Sequence, residues 1–519
     1  MRPLGLILTV LLASFACISC STKPTSHAPA AELAPKLATE LATELAPKLA
    51  TESAANPAPI AKPQPQRPPQ RQPNIVVVLA DDLGYGELGC YGQRKIATPN
   101  IDLLAREGVR FTQFYSAAPV CAPSRCAFIT GLHLGHAPIR DNGEVEPEGQ
   151  TPMPQGFSTV AQDLKFAGYK TACVGKWGLG VVGSSGDPNA LGFEHFFGFN
   201  CQRQAHNYYP THLWSDVGIV KLEGNDPKTR KEAVYAPDLM LKEAQAFIAR
   251  NAGRPFFLSY TTTLPHMALQ PPAEELRLYE SRFREIPYTG GRGYLSHAKP
   301  RAGYAAMITR LDAEVGALRA SLEQAGVADD TIIIVTSDNG PTHDVGGVDT
   351  NFFDSTAGLR GRKGSVWEGG IRVPCIAWNP KRIGAGLTID SPAWTVDLRA
   401  TFVALAGFGP IGSDGIDLSP AILRGETIGP RSFYWPFPGY GGQQAVREGD
   451  WKLVRCDLEK LAKTSQIQQL DGWQLYDLAK DPKETIDVAA VHPDVVARLS
   501  KYAYKQHTPN SDFPLPGMD

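Results

Sequence analysis

The sequence predicts an α/β fold in which helices cover both faces of a mainly parallel central sheet. The runs 74–80 (NIVVVLA) and 331–336 (TIIIVT) are continuously apolar, which is typical of strands buried on both faces. Residues 304–325 place apolar side chains at helical spacing on one stripe, which predicts a long helix packed on the sheet. Helices that alternate with such strands indicate an α/β sandwich.

The other elements continue this alternation. Two more helices and two more strands are predicted over residues 100–107, 158–167, 170–174 and 255–261. After about Gly407 the pattern changes. The later elements are two short strands and a helix, predicted over residues 444–447, 451–455 and 493–503. We therefore predict a main domain over residues 74–410 and a small C-terminal α+β subdomain over residues 411–519.

Residues 1–20 have the pattern of a secretory signal peptide. Arg2 precedes an apolar run over residues 4–15, which is too short for a membrane-spanning helix. Cys17 and Cys20 follow small residues, a pattern that is also found in bacterial lipoproteins. The sequence therefore predicts a secreted or periplasmic protein, with a lipid anchor in the membrane as the open alternative.

Residues 21–73 are predicted to be a linker. They are rich in Ala, Pro, Thr, Lys and Glu, and residues 32–51 nearly repeat the phrase ELAPKLAT. Such a segment cannot bury enough apolar surface to offset the entropy lost on ordering. Its Pro-rich end should be extended and fairly stiff, so it would hold a folded domain away from a membrane or wall.

Charge and cysteine content narrow the function classes. The chain of 519 residues has 51 Lys and Arg against 53 Asp and Glu, a balance that gives no indication of a nucleic-acid partner. Of its nine cysteines, Cys17 and Cys20 belong to the leader. Apart from Cys121, the others match neither a zinc module nor a dense disulfide framework, so we expect mostly buried single thiols, with one or two disulfides left open.

Polar side chains follow the predicted strands directly. They are Asp81, Asp82, Lys176, His266, Asp338 and Asn339. Ligands of open α/β sheets bind at the carboxyl ends of the strands, so these side chains should converge there. Three carboxylates and an amide (Asp81, Asp82, Asp338 and Asn339) are hard oxygen donors, which suit Ca²⁺ or Mg²⁺ better than Zn²⁺.

The segment 119–131 reads PVCAPSRCAFITG, in which Cys121 begins the phrase CAPSR. It resembles the formylglycine signature of the type I sulfatases, the arylsulfatase family of the alkaline phosphatase superfamily, whose core is Cys-x-Pro-Ser-Arg. Further matching segments are GYKTACVGKW, LPHMALQ, SDNG, GRKGSVWEGGIRVP, AVREGDWKLV and LYDLAKDPKE. The resemblance covers about residues 74–499 and implies an alkaline-phosphatase-like architecture.

The resemblance implies a sulfuric ester hydrolase whose Cys121 is oxidised to formylglycine by a separate maturation enzyme. It further implies that the aldehyde would hydrate to a diol, that one diol oxygen would attack sulfur as the alcohol departs to give the sulfated intermediate, and that loss of the proton of the other hydroxyl would reform the aldehyde and release sulfate. Cys121 would join the four oxygen donors around Ca²⁺, with Mg²⁺ as the alternative. The catalytic cations would be Arg125, Lys176, His266 and Lys363, of which the last three also bind the sulfate. A helix beginning near Ser124 would direct its positive end at the site.

One position departs from the family pattern. The second signature normally has a His two residues after the Lys, where this chain has Gly178. In the family, that His helps the sulfated intermediate to collapse. His133, His136 and His206 are the candidates for a substitute base.

Export and a long stalk favour a polymeric substrate, and we expect a sulfated saccharide of the galactose or N-acetylgalactosamine type. A polar and aromatic loop could bind the sugar through His206, Asn207, Tyr208, Tyr209, His212 and Trp214, and Asn142 and Glu144 are further candidates. Two alternatives remain open: a phosphate mono- or diesterase of the same superfold, and a non-catalytic protein that binds sulfated glycans.

Overall fold

The computed structural model describes residues 72–229, 231–291, 293–409, 412–464 and 471–519. The predicted signal peptide, the lipidation alternative at Cys17 or Cys20 and nearly all of the predicted linker lie outside the described residues. The described residues belong to one compact unit. The described residues of both predicted ranges, 74–410 and 411–519, lie in this unit.

The strands of the described residues are numbered in chain order. They are β1 Asn74–Ala80, β2 Val109–Tyr115, β3 Glu144–Val145, β4 Gly149–Gln150, β5 Lys170–Lys176, β6 His195–Phe199, β7 His212–Ser215, β8 Gly218–Lys221, β9 Phe256–Thr261, β10 Thr331–Ser337, β11 Arg372–Trp378, β12 Leu387–Ile389, β13 Ala393–Trp394, β14 Ser432–Phe437, β15 Gln443–Glu448, β16 Trp451–Arg455 and β17 Gln474–Asp477.

The helices are numbered in the same way. They are α1 Pro99–Glu107, α2 Cys121–Thr130, α3 Val160–Phe166, α4 Ala236–Asn251, α5 Ala273–Arg277, α6 Pro300–Gln324, α7 Thr350–Phe353, α8 Glu368–Ile371, α9 Asp397–Leu405, α10 Ser419–Arg424, α11 Leu458–Thr464 and α12 Pro493–Lys505.

The central sheet has the strand order β12-β2-β11-β10-β1-β9-β5-β6-β7-β8, with β13 beside β2. Its middle strands, β10, β1, β9, β5 and β6, are all parallel. The strand β11 runs antiparallel to β10, and β7 runs antiparallel to β6. The prediction of a mainly parallel central sheet is confirmed.

Successive residues of β1 enter two separate cores. Ile75 and Val77 pack in a cluster with apolar residues of α2, α3 and α9. Val76 and Val78 pack in another cluster with residues of α1, α4 and α6. Because side chains alternate across a strand, a sheet covered on both faces needs the unbroken apolar sequence seen here.

The predicted boundaries agree with the structure to within four residues, and one of the differences affects the site. The helix expected near Ser124 begins at Cys121 instead. Val120 is extended and precedes it, and the Asn142 side-chain oxygen accepts the backbone N–H of Ala122 at 3.0 Å. This bond satisfies one of the free N–H groups of the first turn, so the helix can start earlier.

The C-terminal region forms an antiparallel sheet in the order β14-β15-β16-β17. One face packs on the central part of the molecule through Phe433, Trp435 and Ala445, which share a core with Val120 and Ala127. The other face packs on α12. The predicted α+β character of this region is confirmed, and the sheet lies directly behind the segment that carries Cys121.

The described cysteines, Cys90, Cys121, Cys126, Cys173, Cys201, Cys375 and Cys456, are free thiols, as expected for most of them. The disulfides that the sequence left open are therefore not formed among these residues. None of the helices in the described part of the chain combines the length and apolar character needed to cross a bilayer.

Candidate active site

Three parallel strands of the central sheet, β10, β1 and β5, end in polar residues that lie close together. Asp81 and Asp82 follow β1, Lys176 ends β5, and Asp338 and Asn339 follow β10. All five are at most 1% exposed. Since β1 lies beside β10 and one strand away from β5, their carboxyl ends bring these side chains together, as predicted.

Cys121 occupies the first position of α2 and faces this group. Its Sγ lies 3.4 Å from Asp81 Oδ1 and 3.4 Å from Lys363 Nζ. One ligand atom from each of Asp81, Asp82, Cys121 and His266 lies within 4.8 Å of the others. Burial, and next the negative charge of Asp81, raise the pKa of Cys121 to about 12. The unmodified side chain is thus a neutral thiol and a poor nucleophile near neutral pH.

Each carboxylate at the centre has a cationic partner. Lys176 Nζ lies 2.7 Å from Asp81 Oδ2, and Lys363 Nζ lies 2.8 Å from Asp82 Oδ1. Arg125 donates two hydrogen bonds to Asp338 Oδ2, at 2.7 and 3.1 Å. A third Arg125 bond, 2.7 Å long, goes to the carbonyl of Lys176. Arg125 therefore fixes the geometry of two other site residues.

These partners determine which groups carry charge. Burial alone would raise the pKa of Asp81, but Lys176, His266 and Arg125 hold that pKa well below its usual value. The pKa of Asp82 is lowered as well, because the charges of Lys363 and His266 outweigh the effect of burial, which alone would raise it. Burial and the adjacent Asp81 raise the pKa of Asp338 to about 6, with Arg125 opposing them. Two carboxylates of the centre are therefore firmly ionised.

The chemistry of the donor set fits a hard divalent cation. The side-chain oxygen of Asn339 is buried and has no hydrogen-bond partner among the described residues. Its amide nitrogen donates to Asp82 Oδ1 at 2.7 Å, so the free oxygen lies next to a carboxylate. A buried acceptor beside three carboxylates costs free energy unless it binds a cation. Asp81, Asp82, Asp338 and Asn339 are the residues that would hold it.

His266 lies against the same centre, with its Nε2 3.5 Å from Asp82 Oδ2. Its Nδ1 is 2.5 Å from the carbonyl oxygen of Met267. Because a carbonyl only accepts, Nδ1 carries a proton and Nε2 holds the lone pair in the neutral ring. Burial and the positive charge of Lys363 lower the pKa of His266 to about 4.

His206 is the candidate base that the structure brings to this centre. Its ring stacks on that of His266, with centroids 4.6 Å apart and planes inclined by 14°. Burial, followed by the charges of His266, Lys176 and Lys363, lowers the pKa of His206 to about 2. His206 is therefore neutral and within electrostatic reach of both site lysines.

His133 and His136 lie elsewhere, contrary to the suggestion that they reach the site. His136 Nδ1 lies 2.9 Å from Asp414 Oδ2. The ring centroids of His133 and His136 lie 4.2 Å apart. His133 packs on Trp394 and faces Gln506. Neither ring belongs to the group of ligand atoms around Cys121.

The position of the missing histidine, Gly178, is filled by another side chain. Gly178 has φ +93°, and a Cβ built there would lie 2.7 Å from Nε2 of Gln202. Gln202 is 5% exposed, and its Nε2 has no hydrogen-bond partner in the described part of the chain. The glycine thus leaves room for a buried amide where a Cβ would otherwise lie. Sequence spacing gave no signal for Gln202, because it follows a different strand.

Other loop candidates divide into structural and accessible residues. The Tyr208 hydroxyl is buried and donates to the carbonyls of Thr263 and His266. His212 Nε2 and Trp214 Nε1 both lie within hydrogen-bond distance of Glu148, at 2.9 and 2.8 Å. Glu144 lies 3.7 Å from Arg203, but its side chain is 47% exposed, so it stays accessible. His206, Asn207 and Tyr209 line a cavity of about 240 Å³ next to the stacked histidines, and His212 lines a second cavity together with Asn207.

Fold and site together define a class of protein: a mixed α/β enzyme with a buried centre of carboxylates, cations and one cysteine at the carboxyl ends of parallel strands. The model of the Sulfatase family matches residues 73–408. The chain belongs to this family of the alkaline phosphatase superfamily and is a sulfuric ester hydrolase.

Relatives of known activity support this assignment along most of the chain. Human arylsulfatase A is 32% identical over 476 residues, which cover 83% of this chain and 86% of that protein. Human N-acetylgalactosamine-6-sulfatase is 32% identical over 388 residues, or 70% of this chain and 68% of its own. The crystal structure of Ps i-CgsB in complex with k-i-k-neocarrahexaose has a TM-score of 0.69 and 28% identity, covering 84% of this chain and 92% of that one.

Proposed function

We propose that this sulfatase acts on an extracellular sulfated glycan, with a formylglycine made from Cys121 by a separate maturation enzyme and with bound Ca²⁺ or Mg²⁺. The observation that carries the proposal is the position of Cys121 between Asp81 and Lys363, 3.4 Å from each. When bound, the cation would supply a Lewis acid that offsets sulfate charge and lowers the pKa of the nucleophile. Arg125, Lys176 and Lys363 provide fixed positive charge around it.

Lys363 is the better donor for the leaving oxygen. Burial opposes ionisation, but Asp82, Cys121 and Asp81 hold the pKa of Lys363 well above its usual value. Its ammonium group therefore carries a proton. His266 in its neutral form presents the unprotonated Nε2, since Nδ1 donates to Met267. We assign the proton delivery to Lys363 and the orientation of the sulfate to His266 and Lys176.

His206 is our candidate for the base in the release step that Gly178 leaves without a histidine. A neutral imidazole accepts a proton, and His206 reaches the centre by stacking on His266. The pKa of the free ring is low because of burial and the site cations. An anionic sulfate beside Lys176 and Lys363 would offset those cations and raise this pKa toward a useful range.

A galactose- or N-acetylgalactosamine-type substrate is supported by the named relatives, among them the N-acetylgalactosamine-6-sulfatases. The cavity lined by His206, Asn207 and Tyr209 offers polar and aromatic groups beside the centre, which suits a saccharide. The predicted secretion or periplasmic export would place the enzyme where such polymers occur, and the lipid anchor stays the alternative.

Mass spectrometry of the peptide that carries Cys121 tests the modification. Protein from a host with the maturation enzyme should show the lower mass of formylglycine, and Cys121→Ala should abolish turnover. Persistent thiol in active protein would contradict the proposal, and persistent thiol in inactive protein would favour the glycan-binding alternative.

Parallel assays with regiodefined sulfated sugars, an aryl sulfate and an aryl phosphate diester test the substrate. A phosphonate monoester hydrolase shares the fold, with a TM-score of 0.58 and 20% identity. Preference for the phosphorus substrate would overturn the proposed glycan substrate, and so would activity limited to the aryl sulfate.

A further inference from the structure

The C-terminal sheet presents an exposed aromatic ring at the edge of the site. Tyr440 lies in the turn between β14 and β15 and is 60% exposed. Its ring is 5.7 Å from that of His343, and its hydroxyl lies 3.2 Å from His343 Nε2. His343 lies in the loop that begins with Asp338 and Asn339, two of the residues that would hold the cation. The pair therefore joins the C-terminal sheet to the catalytic centre.

The Tyr440 ring covers the backbone next to Lys363. A Cβ on Gly364 would lie 3.0 Å from Cζ of Tyr440 and 3.3 Å from Cε1 of His343, so both rings touch this segment. Although the side chain as a whole is 60% exposed, partial burial raises the pKa of Tyr440; the charge of Lys363 opposes this rise, and those of Asp141 and Asp82 add to it. The hydroxyl thus lies within electrostatic reach of the proton donor and of a cation ligand.

The turn holds this ring in place at a conformational cost. Tyr440 has φ +53°, which side-chain-bearing residues rarely adopt. Gln443 fastens the turn to the site, because its amide donates to the Gly364 carbonyl at 2.7 Å and its oxygen accepts the Val366 N–H at 3.2 Å. Such a conformation persists only where the surrounding contacts hold it.

A second aromatic group borders the same centre. Tyr294 lies 6.2 Å from the ring of His206, which stacks on His266. Burial raises the pKa of Tyr294, and Lys363 and Asp82 act on it as they act on Tyr440. Aromatic rings from two different loops therefore adjoin the charges that would bind sulfate, and of these rings Tyr440 presents the largest exposed face.

We propose that Tyr440 and His343 form the platform on which the pyranose ring of the substrate stacks while its sulfate enters the centre. The inference rests on the proposed glycan substrate and adds a second place of sugar recognition besides the cavity lined by His206, Asn207 and Tyr209. The C–H face of a pyranose packs on a flat aromatic ring, and His343 keeps that ring in one orientation. Asp141, whose Oδ2 lies beside the turn at Gly439, is placed to accept a sugar hydroxyl.

The test compares Tyr440→Ala, Tyr440→Phe and the wild type on galactose 6-sulfate and N-acetylgalactosamine 6-sulfate. Tyr440→Ala should raise KM about tenfold with kcat nearly unchanged, since one stacking contact corresponds to about that factor. Tyr440→Phe should stay within about threefold of wild type, because the ring remains. Phe166→Ala removes an 83% exposed ring that packs on Phe408 and serves as the control.

Two inhibition constants separate the platform from the sulfate centre. In Tyr440→Ala the inhibition constant of inorganic sulfate should be unchanged, whereas that of the desulfated sugar should weaken in parallel with KM. Wild-type hydrolysis of the saccharides with unchanged KM in Tyr440→Ala would overturn the platform alone. Failure of the wild type on both sugar sulfates, with turnover of an aryl sulfate, would overturn the glycan substrate and the platform together.

Discussion

The imidazole ring of His206 lies flat on that of His266, with centroids 4.6 Å apart. The contact joins the loop after β6 to the loop after β9, and Tyr208 strengthens it by donating to the carbonyl of His266. This chain has Gly178 where the family has a histidine. Another histidine, His206, reaches the centre from a different loop.

The first prediction concerns this stacked ring. His206→Ala should lower kcat about a hundredfold and leave KM within a few-fold, because a general base acts on the transition state more than on binding. Added imidazole should restore part of the rate, which a purely packing role would not allow. His136→Ala is the control, since that ring faces Asp414 and should leave kcat unchanged. Unchanged kcat in His206→Ala would assign the release step to another group.

The second prediction concerns the unpaired oxygen of Asn339. Chelation should inactivate the wild type, and Ca²⁺ or Mg²⁺ should restore activity and raise Tm, because a ligand that binds only the folded state stabilises it. Asn339→Ala should lose most of the metal-induced rise in Tm. Asn351→Ala is the control, because this residue interacts with Arg362 rather than with the carboxylates of the centre. An equal rise in both variants would remove Asn339 from the ligand set.

Some parts of this molecule follow from local sequence. The strand β1 was predicted to the residue, because burial on both faces requires an unbroken apolar run. The residues at the strand ends were also predictable, since parallel strands bring their carboxyl ends to one edge. Cys121 was found through the motif that surrounds it.

Other parts depend on contacts between distant segments. Tyr440 meets His343 only because the C-terminal sheet packs behind α2, and no local pattern encodes that contact. Gln202 fills the space above Gly178 from the loop of another strand. The early start of α2 at Cys121 depends on Asn142, which lies twenty-one residues later in the chain.

The third prediction tests how the C-terminal sheet supports the Lys363 segment. Lys452 Nζ lies fully buried between Glu368 and Glu484, at 2.9 and 3.0 Å. Burial alone would raise the pKa of Glu368, but the charge of Lys452 lowers it to about 2, so the Glu368 carboxylate is charged. Lys452→Met should lower the free energy of unfolding by about 3 to 5 kcal/mol, since it strands a buried charge. Denaturant unfolding measures this.

A matched control for Lys452 lies just after β17 of the same region. Lys480 pairs with Asp477 at 2.7 Å, but its side chain is 85% exposed. Exposed pairs contribute little, so Lys480→Met should leave the unfolding midpoint unchanged. Equal effects of the two substitutions would show that burial of the Glu368 charge is not what makes Lys452 important.

The fourth prediction uses a buried carboxyl group away from the catalytic centre. Glu314 on α6 is fully buried and accepts bonds from the Tyr260 hydroxyl at 2.8 Å and the Thr262 hydroxyl at 3.1 Å. Burial raises its pKa from 4.5 to about 7, although Arg310 opposes the shift. The folded state therefore retains a proton that the unfolded state loses. The stability that Glu314 contributes is present below about pH 4.5 and is lost as the pH rises through about 7.

Glu314→Gln keeps the neutral form at every pH and so should remove this loss. Near pH 4.5 the Tm of Glu314→Gln should be similar to that of the wild type, and it should become progressively higher up to pH 8. There the pKa shift of Glu314 corresponds to about 3 kcal/mol in the free energy of unfolding. Thermal unfolding across this range measures the difference. Glu323→Gln, at a half-exposed site on the same helix beside Arg319, should leave Tm unchanged. A Glu314→Gln difference that does not grow with pH would mean that the buried carboxyl group is already ionised in the folded protein.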